Sequence, residues 1–153
     1  MAIVPAMTFA VIAFHADNTP HMNAARQIRQ AVFCDEQGIS AAEEWDGKDL
    51  ICEHFLVLDD GLPVGCARLR PYGPGIYKIE RVAVLKERRG TGAGKAVMEE
   101  IVRRLDKATV VLNAQLSAEG FYGRLGFARE GGVFAEADIP HIHMVRRSVG
   151  KTH

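Results

Sequence analysis

Three glycines, at positions 90, 92 and 94, follow directly on an apolar strand and stand where a helix has to begin. Glycine costs a helix about 1 kcal/mol per residue relative to alanine, so this concentration at a helix start needs a physical reason. The first turn of a helix leaves backbone N–H groups without intrahelical partners. Bare glycines let an anion approach those groups closely. The stretch reads Val82-Ala-Val-Leu-Lys-Glu-Arg-Arg-Gly-Thr-Gly-Ala-Gly-Lys95, so Arg88, Arg89 and Lys95 supply countercharge. Strand, anion-binding turn and helix in that order predict an α/β domain.

Spacing separates the phosphate motifs that such a turn can serve. A P-loop needs glycine five residues before Gly94 and a hydroxyl after its lysine, where this chain has Arg89 and Ala96. The dinucleotide fingerprint can begin at Gly90-Thr-Gly92, but Lys95 takes the place of its third glycine and the stretch lies too deep in the chain. The remaining pattern, Arg/Gln-x-x-Gly-x-Gly/Ala after a strand, is met by Arg89-Gly90-Thr91-Gly92-Ala93-Gly94. It resembles the pyrophosphate-binding motif of the GNAT-type N-acetyltransferase superfamily. Without that resemblance the stretch is a flexible turn with a basic rim.

A second block is similar to the same superfamily. Leu-Asn-Ala-Gln-Leu-Ser-Ala-Glu-Gly-Phe-Tyr-Gly-Arg-Leu-Gly-Phe runs from Leu112 to Phe127, close to the pattern Asn…Tyr-x-x-Leu-Gly-Phe, with Gln115 where many members carry asparagine. Val32-Phe-Cys-Asp-Glu-Gln-Gly, the acidic loop with Asp46 and Asp49, His54, Glu80-Arg-Val-Ala-Val and Ile139-Pro-His extend the likeness to the small bacterial ElaA/YjcF-like branch. The resemblance implies acetyl-CoA as co-substrate. It assigns cofactor contacts to Val82, Ala83, Val84, Arg88, Arg89, Gly90, Thr91, Gly92, Ala93, Gly94, Lys95, Gln115, Phe121 and Tyr122. It gives Tyr122 the further task of protonating the departing thiolate, and a backbone amide at Val84 or a neighbour that of polarising the thioester oxygen. Against this stands a tyrosine that only supports the core. Phe121 and Leu125 already form a packing face four residues apart, and Tyr122 points about 100° away from it.

Periodicity fills in the rest. Residues 8–14 read as a strand. Thr19-Pro20 reads as a helix start whose apolar spacing, Ala24, Ile28 and Val32, ends at Gly38. Residues 40–49 turn polar and acidic around Trp45, as a loop or a short helix within one. Strands near 54–58 and 64–69 are joined by Asp59-Asp60-Gly61, a hairpin signal. Residues 76–85 form a strand apolar on both faces, as in mid-sheet. Residues 91–106 form a helix with the stripe Ala93, Val97, Ile101 and Leu105. A strand at 109–114, a short helix at 117–125 and strands at 127–134 and 142–147 follow. Together with the resemblance, the order predicts one domain over residues 1–153. Its fold is a GNAT-like mixed α/β type: a mostly antiparallel central sheet of about six to seven strands with helices on both faces.

Composition bounds the partners. Nineteen Lys and Arg balance nineteen Asp and Glu, so no whole-chain field draws the protein to nucleic acid or a membrane surface. No run reaches the roughly twenty apolar residues of a membrane span, and residues 1–14 lack the basic start of a signal peptide. The three cysteines, Cys34, Cys52 and Cys66, have no CxxC spacing. That argues against a disulfide framework or metal knuckle and suits a cytoplasmic chain. The expected partner is a small-molecule or peptide amine, with a homodimer as an option.

Amine acylation by direct attack requires a base, because an alkylammonium has a pKa near 10.4. Glu80 is the first candidate: a carboxylate in an otherwise apolar strand is costly unless it is paired or faces a cleft. Strict alternation sends Arg81 to the opposite face, unless a bulge intervenes. The competing explanation is an ion pair with a neighbouring strand. His141 and His143, two apart on the last strand, are rival bases that need only a hydrogen bond to be structural, and His54 follows the same logic. Glu43, Glu44, Asp46 and Asp49 either attract a cationic acceptor or are simply solvated. The alternative to an enzyme is a non-catalytic acyl-CoA-binding module that senses or scaffolds.

Overall fold

The computed structural model describes residues 9–148; Thr8, assigned above to the first strand, lies outside them. Seven strands and four α-helices alternate along the chain: β1 Phe9–His15, α1 Thr19–Arg29, α2 Ala41–Glu44, β2 Glu53–Asp59, β3 Leu62–Gly73, β4 Ile76–Val84, α3 Ala93–Arg104, β5 Thr109–Gln115, α4 Glu119–Gly123, β6 Ala128–Glu136 and β7 Ile139–Arg146. The strands form one sheet in the order β1-β2-β3-β4-β5-β7-β6. Only the central β4–β5 pair is parallel, the other five being antiparallel. The mixed, mostly antiparallel α/β sheet expected from the sequence is therefore the fold observed.

Helices cover both faces. On one, Val97, Met98 and Ile101 of α3 pack with Phe55, Val57, Ala67, Ile79 and Leu112. On the other, Met22, Ala25 and Ile28 of α1 pack with Phe14, Leu56, Cys66 and Ala83. The two-residue turn Asp60-Gly61, with φ +50° and +81°, closes the β2–β3 hairpin as Asp59-Asp60-Gly61 predicted. No described helix is long and apolar enough to cross a membrane.

Two local readings are corrected. The cap of α1 is Asn18, whose side chain accepts from the His21 N–H at 3.3 Å; Thr19 and Pro20 already lie inside the helix. The helix predicted to run to Gly38 changes at Arg29 into a π-helical turn, Gln30–Glu36. π-turns are rare and concentrate at functional sites, and this one brings Phe33 and the following Gln37 to the wall of the cavity described next.

Candidate active site

β4 and β5 run side by side only from Ile76 to Ile79 against Thr109 to Leu112. Beyond that point they part, so the backbone of β4 from Glu80 to Val84 has no ladder partner on its β5 side. The separation coincides with a bulge. Arg68 lies opposite Glu80 and Cys66 opposite Ala83, so Arg81 and Val82 together face Ala67. Arg81 takes φ +58°. In consequence Glu80 and Arg81 project to the same side, where strict alternation placed them on opposite sides. Val82 returns to the α3 side and Ala83 to the α1 side.

A cavity of about 600 Å³ opens at this separation. Glu80, Arg81 and Val82 of β4, Gln115 of β5 and Tyr122 of α4 line it. Ile79, Val82 and Leu112, which belong to the α3-side core, line it as well, so it reaches between the strands from one face of the sheet toward the other. The sequence candidates Glu80, Val82, Gln115 and Tyr122 thus share one cavity. Ala83, Val84, Phe121 and residues 88–95 of the glycine turn are not on its wall; the turn lies past the far end of β4.

The acidic loop is not solvated, as one sequence reading allowed. Glu44, 2% exposed, meets Arg29 Nε at 2.8 Å and Arg81 Nε at 3.0 Å. Arg68, fully buried, donates from both terminal nitrogens to Asp46 at 2.9 Å, from Nη1 to Asp49 at 3.1 Å and from Nη2 to Glu80 at 2.8 Å. Arg29 also reaches Asp49 at 2.9 Å. Only Glu43 stays exposed. The hydrogen bonds from Arg68 hold the Asp46 carboxyl well below the usual range. Burial works to raise the Glu80 carboxyl, but Arg68, Arg70 and Lys78 outweigh it and hold it below its ordinary value. Glu80 is therefore an ionised, ion-paired carboxylate on the cavity wall.

Tyr122 is half-buried between Phe121 and Phe127, and burial pushes its phenol up to about 12. Its hydroxyl makes no hydrogen bond to any described residue. Gln115 donates to Gln37 at 2.9 Å across the cavity. Of the histidines, His141 lines the cavity: its Nδ1–H donates to the Ile139 carbonyl at 2.7 Å, leaving Nε2 3.6 Å from Glu136. His143 is bonded to Asn113 at 2.8 Å, and His54 donates to the Asp49 carbonyl at 2.9 Å deep in the core. Burial raises the thiols of Cys34, Cys52 and Cys66, that of Cys66 to about 12, and none lines the cavity.

The glycine turn has the form an anion needs. Gly90 and Gly92 take φ +77° and +100°, which side chains resist, and nothing lies within 4 Å of a Cβ at Gly90. α3 starts after Gly92 with no side-chain cap on its first N–H groups. A Cβ at Gly94 would meet Phe121 at 3.4 Å and Val84 at 3.7 Å, ordinary contact distances, so this glycine marks where helix, strand and α4 come together. Arg89 is engaged by Glu36, its Nη2 at 2.6 Å, and its Nε donates to the Val84 carbonyl at 3.1 Å. Arg88 pairs with Asp59 at 3.2 Å. Uncapped amides, open glycines and an unzipped β4 edge suit a diphosphate that carries an extended amide-bearing arm, as in coenzyme A.

Comparison with known proteins identifies the family. Residues 33–148 match the family model of the acetyltransferase (GNAT) domain. The chain is 37% identical to YyaT of Bacillus subtilis (strain 168) over 131 residues, covering 82% of this chain and 88% of that one. It is 35% identical to the uncharacterized N-acetyltransferase YjcF of the same organism over 139 residues, 86% and 96% of the two chains. Among solved structures, Escherichia coli ElaA superposes with a TM-score of 0.82 at 28% identity, covering 92% of this chain and all of that one. The divided strands, the glycine turn and these matches lead to one statement: the chain belongs to the GNAT acetyltransferase family.

Proposed function

We propose that the protein is an acetyl-CoA-dependent N-acetyltransferase in which an amine attacks the thioester directly within a ternary complex. The observation that carries this reading is the separation of β4 from β5, which joins Tyr122 and Glu80 on one cavity wall to the glycine turn along a single strand. Gly90, Thr91, Gly92, Ala93, Gly94 and Lys95 offer backbone amides to the diphosphate, with Arg88, Arg89 and Lys95 as countercharge. Arg89 exchanges Glu36 for it. The free edge of β4 at Val82, Ala83 and Val84 binds the amide-bearing arm, alongside Gln115 and Phe121. An N–H at Val84 or its neighbour meets the thioester oxygen, where charge develops.

The acceptor enters as an ammonium and loses a proton before attack. Glu80, held ionised, is a weak base, so it serves as the carboxylate end of a water relay; His141 Nε2 is the second acceptor on the wall. The N–C bond forms, the nitrogen gives up its second proton through the same water relay, and the C–S bond breaks. Tyr122, protonated at every physiological pH, gives its proton to the departing sulfur and is reprotonated from solvent. Thiol release from acetyl-CoA across an amine panel tests the proposal. Turnover that falls in Tyr122→Phe supports it; tight binding with no turnover returns the chain to an acyl-CoA-binding module.

A further inference from the structure

The end of the cavity bounded by β3 and β4 carries more positive charge than its carboxylates neutralise. We infer that the acceptor amine also bears an anionic group, a carboxylate or a phosphate, held by Arg70 and Lys78. This inference rests on the acetyl-transfer reading and names the substrate class of that same site.

The register sets Arg70 of β3 directly opposite Lys78 of β4. Like charges at directly opposed positions destabilise an antiparallel pair, so the arrangement needs a compensating anion. Among the described residues the one carboxylate within reach is Glu80, and three cations share it: Arg68 Nη2 meets one oxygen at 2.8 Å and Arg70 Nη2 donates to the other at 3.2 Å. Arg70 Nε lies 3.0 Å from Glu80, and Lys78 Nζ stands off at 3.6 Å. Lys78 Nζ makes no hydrogen bond to any described residue, although the side chain is only 13% exposed. An ammonium carries three donors, and those of Lys78 are open to the cavity and free for a ligand, while the Arg70 Nε is buried with no hydrogen-bond partner among the described residues. Both side chains line the cavity, with the Tyr72 ring 5.2 Å from the Arg70 guanidinium and 5.3 Å from the Lys78 ammonium.

The rest of the wall is balanced differently. Glu44 and Asp46 are committed to Arg29, Arg68 and Arg81. Glu43 and Glu136 have no lysine or arginine partner among the described residues, and Glu136 stands beside His141 of β7, three strands away from β3. Lys48 adds a further cation at the α2 loop. The cavity thus offers Arg70 and Lys78 at its β3–β4 end and Glu136 with His141 toward β7, Glu43 lying between them on α2. That polarity fits a ligand with an anion at one end and an ammonium at the other.

Matched amines test this: β-alanine against β-alaninamide, lysine against lysinamide, and phosphoethanolamine against ethanolamine, each followed by thiol release from acetyl-CoA. The expected result is a kcat/KM at least about tenfold higher for an anionic member than for its neutral partner, with the preference lying mainly in KM. Arg70→Gln and Lys78→Met bring that ratio close to one, and Lys78→Arg restores part of it. The carboxylate and phosphate arms identify which anion is held. Neutral amines used equally well or better, or a ratio that persists in both variants, overturns the inference and leaves acetyl transfer standing. Absence of turnover with every amine overturns both.

Discussion

Arg81 stands at φ +58° with its Nε 3.0 Å from a Glu44 carboxylate oxygen, so one residue both forms the bulge of β4 and anchors the α2 loop. Its two contributions oppose each other. The pair compensates a buried carboxylate, while the left-handed backbone costs roughly 1–2 kcal/mol for any residue with a Cβ. Arg81→Ala keeps the cost and loses the pair, and is expected to destabilise by about 2 kcal/mol or more. Arg81→Gly loses the pair but escapes the backbone cost, so it should be about 1 kcal/mol more stable than Arg81→Ala. Urea unfolding of the two variants measures the difference. The order is the reverse of what an ordinary strand position gives.

The buried charges set the acid limit of the fold. Burial holds His54 below its ordinary 6.5, and a depressed folded pKa contributes stability that is complete above the unfolded value and lost as pH falls. Stability should therefore begin to decline below about pH 6.5 through His54. It should fall more steeply below about pH 4, where Asp46, Asp49 and Glu80 are protonated more easily in the unfolded chain than in the folded one. The Tm followed from pH 8 to pH 3 should show both stages, and His54→Gln should flatten the first.

Tyr122 donates a proton in the proposed reaction, and its hydroxyl bonds to no described residue. Tyr122→Phe is expected to lower kcat by about 10²-fold or more while KM for acetyl-CoA and the Tm hardly move. With a phenol at about 12, the wild-type rate should show no alkaline loss from this group up to about pH 10, since an acid works while it keeps its proton. A pH–rate profile of wild type and variant checks both statements.

Glu36 occupies Arg89 in the structure, and in the proposed complex a diphosphate displaces it. Glu36→Gln weakens the competing pair, which lies at the surface where such pairs contribute about 0.2–1 kcal/mol. Coenzyme A should then bind a few-fold more tightly to Glu36→Gln than to wild type by calorimetry. Weaker binding would mean that Glu36 helps to hold Arg89 in its binding pose.

Much of this was legible because it is local. The strand–glycine–helix order, the Asp60-Gly61 hairpin and the Tyr122 block each lie within a short run of sequence, where spacing and φ preferences act directly. The bulge was legible only as an exception to strand alternation, because what stabilises it comes from far away: Arg81 meets the Glu44 loop 37 residues before it. Arg68 meets Asp46 across 22 residues, so the acidic loop looked solvated until its arginines converged on it. Gln37 and Gln115 join across 78 residues. Strand alternation placed Glu80 and Arg81 on opposite faces, and the one extra residue in β4 reversed that.

The central claim is that the glycine turn and the open edge of β4 bind acetyl-CoA. Thermal unfolding with excess acetyl-CoA, beside ATP–magnesium and beside the Arg89→Glu/Gly92→Glu variant, tests it most directly. A ligand of the folded state at a hundred times its Kd adds about 2.7 kcal/mol, a rise of roughly 5–10 °C for a chain of this size. The account predicts that rise for wild type with acetyl-CoA alone, and its loss in a variant that remains folded. No shift with acetyl-CoA in a well-folded wild type, or an equal shift in the variant, would contradict it.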